Sequence, residues 1–418
     1  MASVAAETGL PRPSARFLFT LTIFTGSFLL FLVQPMIARM ALPKLGGAPA
    51  VWNSAMLVYQ ALLLAGYAYA HWLGRWPGRV QAAVHLAAFA IAAVMLPIGL
   101  GSAVPPANAN PVTWVPWLLL ASIGPLFLVV SAQAPLMQRW FTLAGGGDPY
   151  PLYAASNLGS FGGLIAYPLV VEPLMPVAHQ SLAWSAGYAT LALLVAGCTV
   201  FLPRGRGGTA AIKPSTPAPG WRQMAKWVLI SAIPSGLMLS TTLHLTTDIV
   251  AMPLLWVVPL GLYLLSFSVA FSENRAAAAF ITRIAPLLLL IAACGVFVDV
   301  TILPLVFALA AVASLFAISV ALHSRLFDER PEPSHLTLFY LAMSVGGVMG
   351  GLFCALFAPQ VFDWTYEHPI LMLAAALLLA PEPVFEAAGR FWSESPHAAR
   401  VTRFGLVLVL LVSLVGQG

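Results

Sequence analysis

The residues of this chain that could do chemistry are isolated polar groups set in apolar runs. The first run ends in QPMIARMALPKLGG, which carries Gln34, Arg39 and Lys44; HLTTD carries His244 and Asp248; and Gln60, Gln133 and Asn157 lie inside other runs. A charge kept in or beside a membrane-length apolar run needs a partner or a task. Superposing the seventh run on the first through Gly236 and Gly26 sets HLTTD opposite the stretch from Gln34 to Ala38, with Asp248 near the counterpart of Arg39. That placement predicts either an Arg39–Asp248 ion pair between two halves of the protein, or an outer gate or anion-binding site made by Arg39, Lys44, Gln34 and His244. Gln60, Gln133 and Asn157 either bond across helices, at ~1 kcal/mol each, or line a solute cavity.

Other chemistries lack their residues. There is no nucleophile elbow, phosphate loop, zinc spacing or paired-carboxylate constellation, and the acidic residues gather in loops. The expectation is a non-enzyme without cofactor or metal. His71, His85, His179, His323, His335, His368 and His397 show no ligand spacing and read as loop or interface residues. Cys198, Cys294 and Cys354 sit far apart in apolar runs and read as small packing residues.

The elements that must position these groups are membrane helices. Only 8% of the 418 residues are charged and 60% are hydrophobic, against ~25% charged in a soluble domain. Apolar runs fall at 17–38, 52–73, 80–100, 114–137, 152–174 and 178–202, then at 226–244, 251–271, 279–298, 301–323, 336–358 and 368–381, with a thirteenth at 403–416. The first run reads as a retained span, and 368–381 is short for a full crossing. With a cytoplasmic N-terminus, every Lys and Arg of the 19 except Arg39 and Lys44 falls in an inside segment. That bias supports twelve spans and a cytoplasmic N-terminus. The net charge of +5 is thereby accounted for without nucleic acid.

The two sets of six runs resemble each other. SNLGSFGGL from Ser156 to Leu164 matches SVGGVMGGL from Ser344 to Leu352, Arg139-Trp140-Phe141 parallels Arg325-Leu326-Phe327, and Trp52 with Tyr59 parallels Trp256 with Tyr263. Six spans is an even number, so the halves lie parallel, as in one class of secondary transporters. The predicted fold is an all-α polytopic bundle of two six-helix repeats plus the thirteenth apolar segment. Its units are a cytoplasmic tail (1–16), a first half (17–202), a Gly- and Pro-rich linker (203–225), a second half (226–381), a cytoplasmic segment (382–402) and the last run (403–418). Gly159, Gly162 and Gly163, and in the other half Gly347, Gly350 and Gly351, read as faces for close helix packing or as a sliding surface between the halves.

The glycine run of the fifth span resembles the fifth-helix motif of the major facilitator superfamily. GRWPGR, from Gly74 to Arg79, is similar to its basic loop but lacks the usual aspartate. Longer strings carry a closer likeness. QPMIARMALPKLGGAPAVWNSAMLVYQALLLAGYAYAH, HLTTDIVAMPLLWVVPLGLYLLSF and HLTLFYLAMSVGGVMGGLFCALFAP resemble the membrane portion of bacterial fused major-facilitator/spermidine-synthase-like proteins, from about residue 17 to 381. In that family a soluble aminopropyltransferase-like domain can follow. Here no glycine-rich strand–helix fingerprint is present to bind its cofactor, so the resemblance implies a membrane-only member or a chain that stops before the enzyme domain.

The reading that follows is a secondary transporter moving a small solute by alternating access. It predicts a midplane cavity lined by spans 1, 2, 4, 5, 7, 8, 10 and 11. Glu172, Asp248 and Asp299 fall near span ends, which disfavours a polyamine path, while Arg39 and Lys44 tilt toward an anionic or amphipathic solute. The rival reading is a non-transporting scaffold in the lipid bilayer for a polyamine-related cytoplasmic enzyme.

Overall fold

In the computed structural model of the protein the residues described are 13–46, 48–100, 111–147, 149–203, 217–246, 255–272, 274–294, 304–332 and 335–379, with 404, 405 and 408. All regular structure among them is helical. The first half comprises α1 (Pro13–Leu45), α2 (Pro49–Leu73), α3 (Gly78–Ala92), α4 (Pro111–Ser131), α5 (Gln133–Leu143), α6 (Tyr150–Ala166), α7 (Glu172–Leu174) and α8 (Val177–Cys198). The second comprises α9 (Trp221–His244), α10 (Val257–Ala270), α11 (Ala276–Cys294), α12 (Pro304–Asp328), α13 (Leu336–Leu352), α14 (Ala358–Val361) and α15 (Glu367–Leu378). Each of the first twelve apolar runs thus contains a helix. Asp248, most of the linker, 382–402 and almost all of the thirteenth run lie outside the described residues.

Local chemistry sets the helix limits. Prolines open α1, α2, α4 and α12, where a missing N–H costs nothing because first-turn donors have no intrahelical partner. Prolines also stand inside helices, at Pro35, Pro125, Pro234 and Pro286; a bundle tolerates these because neighbours and local adjustments satisfy the freed carbonyls. Nine helices among the described residues are long and apolar enough to cross a membrane by length and composition; α10 and α15 are shorter apolar helices.

Packing follows a two-fold plan. In the first half α1 lies along α6 and α2 along α4; in the second, α9 lies along α13 and α10 along α12. The halves meet through α2 on α13 and through α10 on α6, one contact being the counterpart of the other. Lipid offers no hydrophobic drive for helix association, so close backbone approach must supply it. A Cβ at Gly159 would stand 2.5 Å from the Phe24 carbonyl oxygen, and one at Gly163 would overlap that of Phe28. In the second half a Cβ at Gly346 would overlap the carbonyl oxygen of Val228, and one at Gly350 that of Ala232.

These contacts correct the sequence register. Gly159 and Gly163 correspond to Gly346 and Gly350, one residue out of step with the match through Gly347 and Gly351. The helices they press on correspond through Phe24, Ser27 and Phe28 with Val228, Ser231 and Ala232, so Gly26 pairs with Ile230 and not with Gly236. Trp52 and Tyr59 stay in register with Trp256 and Tyr263. The glycines also divide their tasks. Gly162 and Gly347 meet nothing closer than 3.8 Å and 4.0 Å, while Gly351 faces Gln60 and Leu57 of the other half. Both glycine helices then run into a π-turn, Tyr167–Val171 after α6 and Phe353–Phe357 after α13.

Candidate functional site

A central cavity opens where α1, α2, α4 and α6 face α9, α10 and α13, with an empty volume of about 1160 Å³ including open space at its mouth. Its walls come from seven of the eight expected spans; no residue of the tenth span is in the lining. The polar residues include Gln34, Gln60, Asn157, Ser27, Ser156 and Ser235, and the apolar ones include Phe31, Met56, Phe127, Leu260 and Phe267. No Asp, Glu, Lys, Arg or His is among the described lining residues.

Most of these polar groups are held in place by neighbours. Ser27 Oγ and Ser156 Oγ are 2.9 Å apart, tying α1 to α6. Gln34 is buried, its side-chain amide donates to the Leu30 carbonyl at 3.3 Å, and its backbone carbonyl accepts from the Tyr59 hydroxyl at 3.5 Å. Gln60 Nε2 of α2 donates to Ser235 Oγ of α9 at 2.9 Å, and Ser235 donates on to the Gly347 carbonyl at 3.0 Å. Asn157 is 9% exposed; its buried Nδ2 makes no hydrogen bond of ordinary length, and the amide stands beside the Tyr153 hydroxyl.

One end of the cavity is closed by contacts between the halves, at the end where α1 begins and α2 finishes. Tyr153 and Tyr340 stack with centroids 5.6 Å apart and planes 10° apart, with Tyr67 6.1 Å from Tyr340. The Tyr340 hydroxyl donates to Gln138 Oε1 at 3.0 Å, and His71 Nδ1 lies 3.0 Å from Thr337 Oγ1. At the same end Lys226 Nζ lies 2.6 Å from Glu329 Oε1, and Arg139 donates to the Gly74 carbonyl.

The structure divides the residues singled out in the sequence. Gln34, Gln60 and Asn157 line the cavity. Gln133 does not: it lies behind the wall, against Gly26, with Oε1 3.5 Å from His85 Nε2. Arg39 and Lys44 are not in the lining either. Arg39 Nε lies 3.0 Å from Glu172 Oε1, an ion pair within the first half; Asp248, its expected partner in the other half, lies outside the described residues. The π-turn after α6 delivers Glu172 to this position, which linear spacing could not show. His244 stacks on His368 at 5.4 Å, joining α9 to α15. Two histidines read as loop or interface residues are fully buried within the bundle. His85 packs in the first half, and His323 lies 2.8 Å from Ser266 Oγ with its ring 3.5 Å from that of Phe267.

No family model and no curated protein sequence matches the chain. Solved structures do. The human organic anion transporter MFSD10 (TETRAN) aligns over 96% of this chain and all of its own, at 14% identity and a TM-score of 0.50. The proton:xylose symporter XylE of the major facilitator superfamily, bound to 6-bromo-6-deoxy-D-glucose, aligns over 89% of this chain and 95% of its own, at 13% identity and a TM-score of 0.53. The inward-open xylose transporter XylE from E. coli aligns over 91% and 96%, at 13% identity and a TM-score of 0.52. The fold is therefore that of major facilitator transporters.

Proposed function

We propose that the protein is a secondary transporter that carries a small solute by alternating access between its two halves. The observation that supports this most directly is the polar-lined cavity at the seam between them, closed at one end by contacts that cross the seam. Hydrogen bonds and stacking between halves break more readily than a packed core, so the same groups can close one end and release it in turn.

The proposed setting is a bacterial inner membrane, on the family resemblance, with the N-terminus cytoplasmic on the strength of the basic residues. The closed end is then the cytoplasmic one. Kinship with the membrane portion of the fused major-facilitator/spermidine-synthase-like proteins is proposed on the three strings quoted above. A cytoplasmic enzyme partner has no specific support, and a bare scaffold has no use for an internal cavity lined by Gln34, Gln60 and Asn157. An amphipathic solute suits the mixed walls. Arg39 and Lys44, the ground for expecting an anion, stand outside the lining.

The test is uptake. The protein reconstituted in proteoliposomes takes up a solute that also raises its melting temperature in detergent, and a cross-link through cysteines placed at His71 and Thr337 stops uptake until it is reduced. Uptake that continues through the cross-linked protein would remove the proposal.

A further inference from the structure

We infer that the cavity takes an uncharged, two-faced solute, whose hydrogen-bonding edge is held by the first half while its apolar or ring face lies on the second. This rests on the transport reading above and specifies its solute. The corrected register pairs each wall residue with its symmetry counterpart.

The backbone of the site is two-fold but its chemistry is not. Gln34 in the first half corresponds to Met238, Gln60 to Leu264 and Asn157 to Ser344; Ser156 corresponds to Met343 and Ser160 to Gly347. All ten residues line the cavity. At each of these five pairs the more polar member belongs to the first half, Phe31 with Ser235 being the one reversal among the described lining pairs, and all three amides of the described lining stand in the first half. Tyrosines are kept in both halves, at Tyr59 with Tyr263 and at Tyr153 with Tyr340. The second wall offers Phe267, Leu260, Leu264 and two methionines. One of its two serines, Ser235, is already engaged by Gln60 and Gly347.

Charge gives the second constraint. A carboxylate, phosphate or ammonium brought into this space leaves water without meeting an opposite charge among the described lining residues, and a lone charge in such surroundings is expensive. A hydroxyl, ether or amide edge loses far less and regains it from the amides and serines. Asn157 supplies the third point: its buried Nδ2 has only the Tyr153 hydroxyl beside it and makes no hydrogen bond of ordinary length, and a bound acceptor removes the cost of such a poorly satisfied donor. Aromatic and methionine side chains opposite would pack on a ring or alkyl face without demanding a fixed orientation.

The experiment uses the full chain in detergent and probes that share one ring and differ in charge: tryptophol, indole-3-acetate and tryptamine, with phenyl β-glucoside as a second neutral probe and spermidine as a polycation. A neutral probe is expected to raise the melting temperature at a concentration at least tenfold below that needed by any charged one. Asn157→Ser, which copies the counterpart residue, should weaken the response about fivefold, while Ser344→Ala should leave it within twofold. A charged probe acting at equal or lower concentration overturns the inference, as does a panel in which no probe acts, or a response more sensitive to Ser344→Ala than to Asn157→Ser. The transport reading fails separately. A neutral probe that binds but is not carried into proteoliposomes defeats transport and leaves the solute class standing, whereas a charged probe that binds and is carried defeats the class alone.

Discussion

Tyr153 of α6 and Tyr340 of α13 are symmetry counterparts, and they stack on each other across the seam between the halves, 5.6 Å apart and nearly parallel. A two-fold plan brings equivalent residues face to face only near its axis, so this pair marks the axis at the closed end of the cavity. Phe271 packs against Tyr153 at 4.8 Å, and the Tyr340 hydroxyl is anchored on Gln138.

Removing either ring should loosen this closure. An aromatic pair is worth ~0.5–1.5 kcal/mol beyond its buried area, so Tyr153→Ala or Tyr340→Ala should raise the population open at this end by about 2–10-fold. Tyr340→Phe keeps the stack, loses only the Gln138 bond, and should fall between them and the parent. The rate at which a membrane-impermeant maleimide labels a cysteine placed at Ser156, from the side where α1 begins, measures this directly.

The Gln60–Ser235 bond couples the halves at the level of the cavity. Cross-helix hydrogen bonds in membranes average below ~1 kcal/mol. A double-mutant cycle with Gln60→Leu and Ser235→Ala, read from unfolding in mixed micelles, should give a coupling of about 0.5–1 kcal/mol. A coupling indistinguishable from zero would mean that the bond does not join the halves in solution.

The glycines should separate sharply by position. Gly163→Val and Gly350→Val set a side chain into the carbonyls of Phe28 and Ala232, so both should abolish the folded fraction in size-exclusion chromatography. Gly162→Ala meets only the Phe28 ring at 3.8 Å and should shift stability by less than ~0.5 kcal/mol. Gly351→Ala displaces Gln60, and should disturb the contact between halves while each half still folds.

Acid should act through Glu329, which lies just past the end of α12. Burial alone would raise its carboxyl; hydrogen bonds from Lys226 and Gln223, with the charges of Lys226 and Arg325, hold it below the usual carboxylate range. A depressed folded value means that the unfolded chain binds the proton more readily. The stabilisation is therefore complete above the unfolded value of about 4.3 and is lost as pH falls through the folded one. The pair is partly exposed, so Glu329→Gln should cost ~1 kcal/mol or less. It should also flatten the acid limb of a melting-temperature profile and remove its salt sensitivity.

The apolar runs announced the helices because 20-residue stretches without charge have few other uses, and the charge bias ordered them. Within the site, Gln34, Gln60 and Asn157 were legible because amides inside such runs are conspicuous. Gln133 looked the same but points behind the wall toward His85, since helix rotation is set by packing and not by composition. Tyr153 and Tyr340 were hidden by a slip of one residue in the repeat. Matching glycine to glycine favoured Gly347 and Gly351, and only the pressure of Gly346 and Gly350 on α9 restores the register in which the tyrosines coincide. The Arg39–Glu172 pair was hidden for a related reason: a π-turn shifts the angular position of everything after it.

The most direct test of alternating access is a pair of spin-label distances taken on the same protein, with and without a stabilising solute. Labels at Arg75 and Arg330 report the end closed by Tyr153 and Tyr340, and labels at Ala48 and Trp364 report the other; all four positions are exposed. Pulsed electron paramagnetic resonance should show two populations at each end, with solute shortening one distance as it lengthens the other. Two single, solute-independent distances would contradict the account and leave a rigid bundle in place of a transporter.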